Sequence, residues 1–186
     1  MPHPKVREDS LLEALQGVFC RHGFEGASLS LIADATGLQR ASLYHRFPDG
    51  KAGMAVAVLE RVLATFGSTV LAPLSKPGDP AARVRQTAKQ LGEFYAGGKR
   101  SCLLETLSLG APAPAVRAAV QRALSAAIDA FAAVARECGA SPAEAARRAE
   151  QALVEVQGAL VVARVSGDIK PFERVLKALP ERITGD

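Results

Sequence analysis

The sequence predicts an all-α protein, with a small three-helix head at the N-terminus and a larger helical body behind it. Three observations carry this expectation. Ala dominates long stretches, and it loses no side-chain entropy in a helix. Apolar residues recur at three- and four-residue spacing through most of the 186 residues, and no segment alternates convincingly with period two. Glycines and prolines fall between the periodic runs, where they act as breakers.

The first helix opens at Asp9 or Ser10 and carries Leu11, Leu12, Leu15, Val18 and Phe19 on one face, with Gly23 placed to end it. Ser28 can cap a short second helix through Leu29, Ile32 and Ala33, which stops at Thr36-Gly37. A third short helix runs from about Gln39 to Arg46. After the breaker cluster Pro48-Asp49-Gly50, a fourth helix spaces Met54, Val58, Val62, Phe66 and Val70 before fading at Ala72-Pro73. Asp79 as cap and Pro80 at the first helical position open a fifth through Val84, Leu91, Phe94 and Tyr95, closed by Gly97-Gly98.

A sixth helix occupies about Cys102–Leu109. Pro112 and Pro114 introduce a seventh with Val116, Val120, Leu124, Ile128 and Phe131, which ends at Cys138-Gly139. Ser141, Pro142 and Glu144 make a capping-box sequence for an eighth helix reaching Ser166-Gly167, with Glu144 expected to reach back to the cap. Pro171 starts the last helix, which carries Phe172, Val175, Leu176, Leu179 and Ile183. The breaker at Pro48-Gly50 divides the chain into a head, residues 1–50, and a body, residues 51–186.

Composition argues against several classes. No run approaches the roughly 20 apolar residues that span a bilayer, and MPHPKVREDS lacks the apolar core of a secretion signal, so a cytoplasmic protein with no membrane partner is expected. Cys20, Cys102 and Cys138 are odd in number and widely separated, which suits reduced structural thiols. Lys99-Arg100 could lower the pKa of the Cys102 thiol, but an inert cysteine near a helix start is the expectation. His3, His22 and His45 are too scattered for a metal site or a triad, and no paired-carboxylate spacing stands out. No catalytic residue, metal or cofactor is expected.

The net charge of +4 suits a polyanion partner, yet residues 1–62 do not carry it. There Lys5, Arg7, Arg21, Arg40, Arg46, Lys51 and Arg61 are balanced by Glu8, Asp9, Glu13, Glu25, Asp34, Asp49 and Glu60. Any nucleic-acid contact must rest on local arrangement. A helix, a Gly turn and a second helix, supported by a preceding helix, is the arrangement that places a recognition helix in the DNA major groove, although the same shape also serves as a plain packing unit.

Within the third helix, Leu43 and Phe47 sit four apart and can face the core, whereas Arg40, Ser42, Tyr44 and Arg46 cannot all follow them. Arg40 can fork onto guanine, Gln39 can contact adenine, and the Ser42 and Tyr44 hydroxyls can reach phosphate oxygens. Lys51 and Ser28 begin the fourth and second helices, where unpaired backbone N–H groups favour an anion; Ser28 is equally an ordinary cap.

The stretch FCRHGFEGASLSLIADATGLQRASLYHRFPDGK, with its flanks from Leu12 to Val62, resembles the N-terminal DNA-binding domain of TetR/AcrR-type transcriptional regulators. The residues that carry the resemblance are Phe19, Gly23, Phe24, Ile32, Ala33, Gly37, Leu38, Ser42, Leu43, Tyr44 and Phe47. It implies that Gln39, Arg40, Ala41 and Ser42 approach bases, that Tyr44 and His45 approach the DNA backbone or adjoining bases, and that Lys51 holds a phosphate. After Phe47 the family's F-x-(S/N)-K-E-x-L becomes FPDGKAGM, one residue longer, with Ala52 and Met54 in the Glu and Leu places. The extra Gly before Lys51, together with KRSCLLETLSLG, is reminiscent of the LmrA and YxaF subgroup.

The resemblance further implies a body that binds a small-molecule effector between its central helices and forms a homodimer through its last two. An Ala- and Val-rich eighth helix needs more cover than one neighbour supplies, which agrees in outline. Phe66, Phe94, Tyr95, Cys102, Leu107, Phe131 and Val134 are the candidate effector-lining residues, and the few charges on those faces favour an apolar or aromatic effector. The expected protein is a regulator, a repressor by preference, that binds a near-palindromic operator. The alternative is a helical small-molecule carrier or enzyme that keeps the helix-turn-helix as scaffold.

Overall fold

The computed structural model describes residues 8–185. Among them the chain forms α1 (Glu8–Gly26), α2 (Leu29–Thr36), α3 (Arg40–Arg46), α4 (Gly50–Phe66), α5 (Pro80–Phe94), α6 (Leu103–Ser108), α7 (Pro114–Glu137), α8 (Pro142–Ser166) and α9 (Lys170–Thr184), and no strand. The all-α expectation therefore holds. The chain packs as two compact units: the described residues up to Leu63 together with Leu103–Gln121, and Ala64–Cys102 together with the described residues from Arg122 onward.

The core of the first unit is built from the apolar faces that the sequence spacing marks. Leu11, Leu15, Val18 and Phe19 of α1 are buried with Ile32, Leu43, Met54, Val58, Leu59, Leu107 and Val116, while Leu38 and Phe47 pack against that cluster half-buried. Gly23 does not end α1 as expected. It takes φ 65°, ψ −173°, kinks the helix, and lets it resume as far as Gly26. The kink turns Phe24 inward, where it is buried, and a side chain at position 23 would have its Cβ 3.1 Å from the Thr106 carbonyl oxygen. Only glycine meets both requirements without strain.

In the second unit α9 packs along α8, and α5 along α9. α8 buries Ala145, Ala149, Ala152, Val156, Ala159, Leu160 and Ala163, and so many small side chains let a neighbouring backbone approach closely. The Ser141 hydroxyl caps α8 by accepting from the Glu144 N–H at 3.3 Å. Glu144 itself does not complete the capping box by reaching back. Its carboxylate accepts from Arg147 Nε at 3.0 Å and Nη2 at 2.8 Å, and from Arg148 Nε at 2.8 Å. Charge-assisted bonds to two guanidinium groups outweigh one bond to a neutral amide, and Arg147 foremost, then Arg148, holds the Glu144 carboxyl down at about 2.

α4 does not simply fade. It passes into a π turn, Gly67–Leu71, and then a 3-10 turn, Ala72–Ser75. The Thr65 carbonyl accepts from Thr69 Oγ1 at 2.7 Å and Ser68 Oγ at 3.2 Å, so side chains compete with the main chain there and the turn widens. The emerging loop is held by Arg83 of α5, whose Nη1 donates to the Leu74 and Lys76 carbonyls at 2.9 Å each and whose Nη2 pairs with Glu137 of α7. Arg83 is 9% exposed, a buried cation whose two terminal nitrogens are held by two carbonyls and a carboxylate while its Nε is buried without a partner.

The expectation that no run reaches membrane-spanning length needs correction. Gly50–Ser75 and Pro114–Glu137 are each long and apolar enough to cross a bilayer. Ala and Val raise the mean apolarity of these segments without an unbroken run of large side chains. Their large apolar residues are placed instead as core: Met54, Val58 and Leu59 in the first segment and Val116, Phe131 and Val134 in the second are all buried.

Candidate functional site

The α2–α3 turn is wired by one buried threonine. Thr36 Oγ1 donates to the Ile32 carbonyl at 2.8 Å and accepts from the Leu38 N–H at 3.3 Å. Between them Gly37 takes φ 66°, ψ 14°, the left-handed cap that lets α2 end and the chain reverse. Gln39 then sits extended as the N-cap of α3, outside the helix rather than in its first turn.

Leu43 anchors α3 with no exposed surface. The other side of the turn is open: Gln39, Arg40, Ala41, Ser42 and His45 are exposed, and Tyr44 shows 46% of its surface. A seven-residue helix has room for this division because Leu43, at its centre, is its one fully buried side chain.

Three of the candidates are held by contacts. Arg40 Nη2 donates to Ser30 Oγ of α2 at 2.6 Å. Tyr44 rests against Gly50, where a Cβ would stand 3.3 Å from its Cε1. Gly50 has φ 61°, its N–H donates to the Phe47 carbonyl at 2.9 Å, and both facts explain why PDG precedes the lysine. Lys51 is half-buried: its Nζ lies 4.6 Å from the Phe24 ring centroid and donates to the Glu25 carbonyl at 3.4 Å. Ser28 caps α2, accepting from the Leu31 N–H at 3.2 Å, and its hydroxyl hydrogen stays available to a second acceptor.

The effector candidates divide between the units. Phe66, Phe94 and Tyr95 form an edge-to-face series with centroids 5.1 Å apart at each step, which continues to Phe172 at 6.2 Å. Cys102 Sγ accepts from Tyr95 Oη at 3.5 Å and Gln157 Nε2 at 3.4 Å, the Gln157 Oε1 being buried without a partner. Phe131 and Val134 are buried on the same unit's stretch of α7. Leu107 lies in the first unit, within its core cluster. Among the described residues no cluster of His, Cys, Asp and Glu could hold a metal ion, and His3 lies outside them.

Sequence reasoning missed Ser30 and Gln157, and it named Phe24, Gly50 and Phe172 without giving them a part in the site. Their contacts depend on how helices cross.

Residues 11–58 match the family of bacterial regulatory proteins called tetR, and residues 80–178 match the family described as transcriptional regulator LmrA/YxaF-like, C-terminal domain. A helix-turn-helix head joined to such a body defines a bacterial transcriptional regulator. The chain belongs to the TetR family, with a C-terminal domain of the LmrA/YxaF-like kind. Its fold is similar to a TetR transcriptional regulator from Legionella pneumophila (TM-score 0.81, 20% identity, 98% of each chain). It is similar also to the regulatory protein TetR from Rhodobacter sphaeroides (TM-score 0.81, 22% identity, 96% of this chain and 99% of that one). A third similar structure is CifR, a TetR-family regulator complexed with 26bp double-strand operator DNA (TM-score 0.70, 24% identity, 98% of each chain). No curated protein sequence matches the chain.

Proposed function

We propose that this protein is a homodimeric repressor that binds a near-palindromic operator and releases it when a small, largely apolar or aromatic effector binds. The observation that carries the reading is the exposed edge Gln39, Arg40, Ala41, Ser42, Tyr44 and His45 standing over a fully buried Leu43. Arg40 and Gln39 present the donors and acceptors that discriminate base edges, and Ser28, Tyr44 and Lys51 supply phosphate contacts that set the register. In this reading residues 1–50 read DNA, with Lys51 adding a phosphate contact at the start of the body, and the rest of residues 51–186 binds effector and partner. The CifR complex shows that a similarly folded chain takes operator DNA.

Two further features support the body's part. Val154, Val161, Val162 and Val165 of α8 are 59%, 37%, 50% and 81% exposed, an apolar stripe at helical spacing that a second copy would cover. The aromatic series Phe66–Phe94–Tyr95 shares one unit with Cys102, Phe131 and Val134, and side chains of this kind suit an uncharged effector. Effector and operator then weaken each other's binding by one and the same factor.

Selection of duplexes from a randomised pool, followed by titration of the recovered sequence, tests the proposal. A recovered palindrome with half-sites about 34 Å or a multiple apart is expected. Recovery of no preferred sequence would sink it.

A further inference from the structure

The bond between Ser30 and Arg40 is one that the packing of the fold does not require. Ser30 is the second residue of α2 and Arg40 the first of α3, and both are exposed. Their side chains meet at 2.6 Å, close for an N–H donor to a hydroxyl oxygen. Neither contributes to the apolar core, which is carried across the same helix pair by Ile32, Leu38 and Leu43. The turn is secured independently by Thr36 and Gly37.

We propose that Ser30 is the positioning residue for base recognition by Arg40: its hydroxyl oxygen holds one edge of the guanidinium so that the other edge meets a guanine at a fixed angle. This rests on the reading of Arg40 as a base contact. A free arginine side chain samples many rotamers, and ordering it on DNA costs affinity for cognate and non-cognate sites alike. A tethered guanidinium pays that cost in the free protein and arrives with its fork aimed. The gain is then largest for the one base whose O6 and N7 match the fork, which makes the tether a source of discrimination.

The chemistry of Ser30 suits the task. Accepting from Arg40 Nη2 uses an oxygen lone pair and leaves the hydroxyl hydrogen free to donate. A phosphate oxygen beside the α2 N-terminus is the natural acceptor, and a hydroxyl that donates to an anion becomes a better acceptor for the guanidinium. The Ser30 hydroxyl thereby couples a backbone contact, which sets register, to the side chain that reads sequence. The guanidinium keeps its other N–H groups for the base, because one Nη2–H is enough for the tether.

The experiment uses the full chain and the duplex it selects from a randomised pool. Each base pair of one half-site is substituted in turn, and the affinity ratio between selected and substituted duplex is measured for wild type, Arg40→Ala, Ser30→Ala, Ser30→Thr and Ser30→Ala/Arg40→Ala. Arg40→Ala identifies the position at which discrimination disappears. Ser30→Ala should lower discrimination there by about tenfold and leave it unchanged elsewhere, Ser30→Thr should restore it, and the double variant should behave as Arg40→Ala alone. Unchanged discrimination in Ser30→Ala, or an equal loss on every duplex, overturns the proposal while the role of Arg40 stands. Full discrimination in Arg40→Ala overturns the base-contact reading itself, and the positioning role falls with it.

Discussion

The Lys51 ammonium stands over the Phe24 ring, 4.6 Å from its centroid. It also donates to the Glu25 carbonyl at 3.4 Å, next to the C-terminus of α1, where carbonyls carry partial negative charge. The cation of the fourth helix is therefore parked against the end of the first, and the kink at Gly23 is what brings Phe24 to it. As a proposed phosphate contact, Lys51 is pre-placed rather than recruited. Lys51→Ala should weaken binding to all duplexes alike and lower the slope of log affinity against log salt by about one, read from titrations at several salt concentrations.

Gly50 should be intolerant of a side chain. Its φ of 61° strains an L-residue, and a Cβ would stand 3.3 Å from Tyr44 Cε1. Gly50→Ala should lose about 1–2 kcal/mol of stability in urea unfolding. It should also weaken DNA binding beyond that loss, because Tyr44 must shift. A variant that melts earlier yet binds as well as wild type when folded would show that Tyr44's seat is unimportant for DNA.

Arg83 is a buried cation with three anchors, the Leu74 and Lys76 carbonyls and the Glu137 carboxylate. The Glu137 side chain is 51% exposed and can rehydrate when its partner is removed. Removing the arginine leaves carbonyls at the end of the α4 turns without donors. Arg83→Ala should therefore destabilise by about 2–3 kcal/mol in chemical denaturation. Glu137→Gln, which keeps an acceptor for Arg83 Nη2, should cost about 1 kcal/mol or less.

Glu144 gives a pH signature. Arg147 first and Arg148 second hold its carboxyl at about 2 in the folded protein, against an ordinary 4.5. A depressed folded value means that the contribution is complete above 4.5 and is lost as pH falls toward and through about 2. Thermal melts of wild type and Glu144→Gln should differ at neutral pH. The gap should narrow between these two values and close below them, and a gap independent of pH would assign the effect to something other than the ion pair.

The apolar stripe on α8 predicts association. Val165→Glu places a charge where 81% of the valine surface is open, so it should leave the folded monomer intact. In sedimentation the variant should run as a monomer under conditions where wild type is a dimer. An unchanged sedimentation profile would move the dimer contact elsewhere.

Much of this molecule is written locally. Ser28, Asp79 and Ser141 cap their helices with side-chain oxygens because short polar side chains ahead of an apolar run satisfy the first free N–H groups wherever the helix ends up. Leu43 is buried and its neighbours exposed because helical periodicity separates faces before any partner is chosen. By the same periodicity Arg40, Ser42, Tyr44 and Arg46 could be set apart from Leu43 and Phe47, while Ala41 and His45 entered only through the family resemblance.

What lay beyond the sequence depends on crossings between segments far apart along the chain. The kink at Gly23, the tether of Ser30 to Arg40, the seat of Tyr44 on Gly50 and the parking of Lys51 over Phe24 arise only when helices meet at particular angles. Glu144 turned away from its capping box because two arginines of the next turn, correctly oriented, offered charge-assisted bonds. The sequence by itself determined the helices, their caps and their outward faces, because those follow from interactions within a few residues. The tertiary structure alone decided how the exposed side chains are held, because a hydrogen bond or ring contact requires two segments to arrive within a few ångströms in the right orientation.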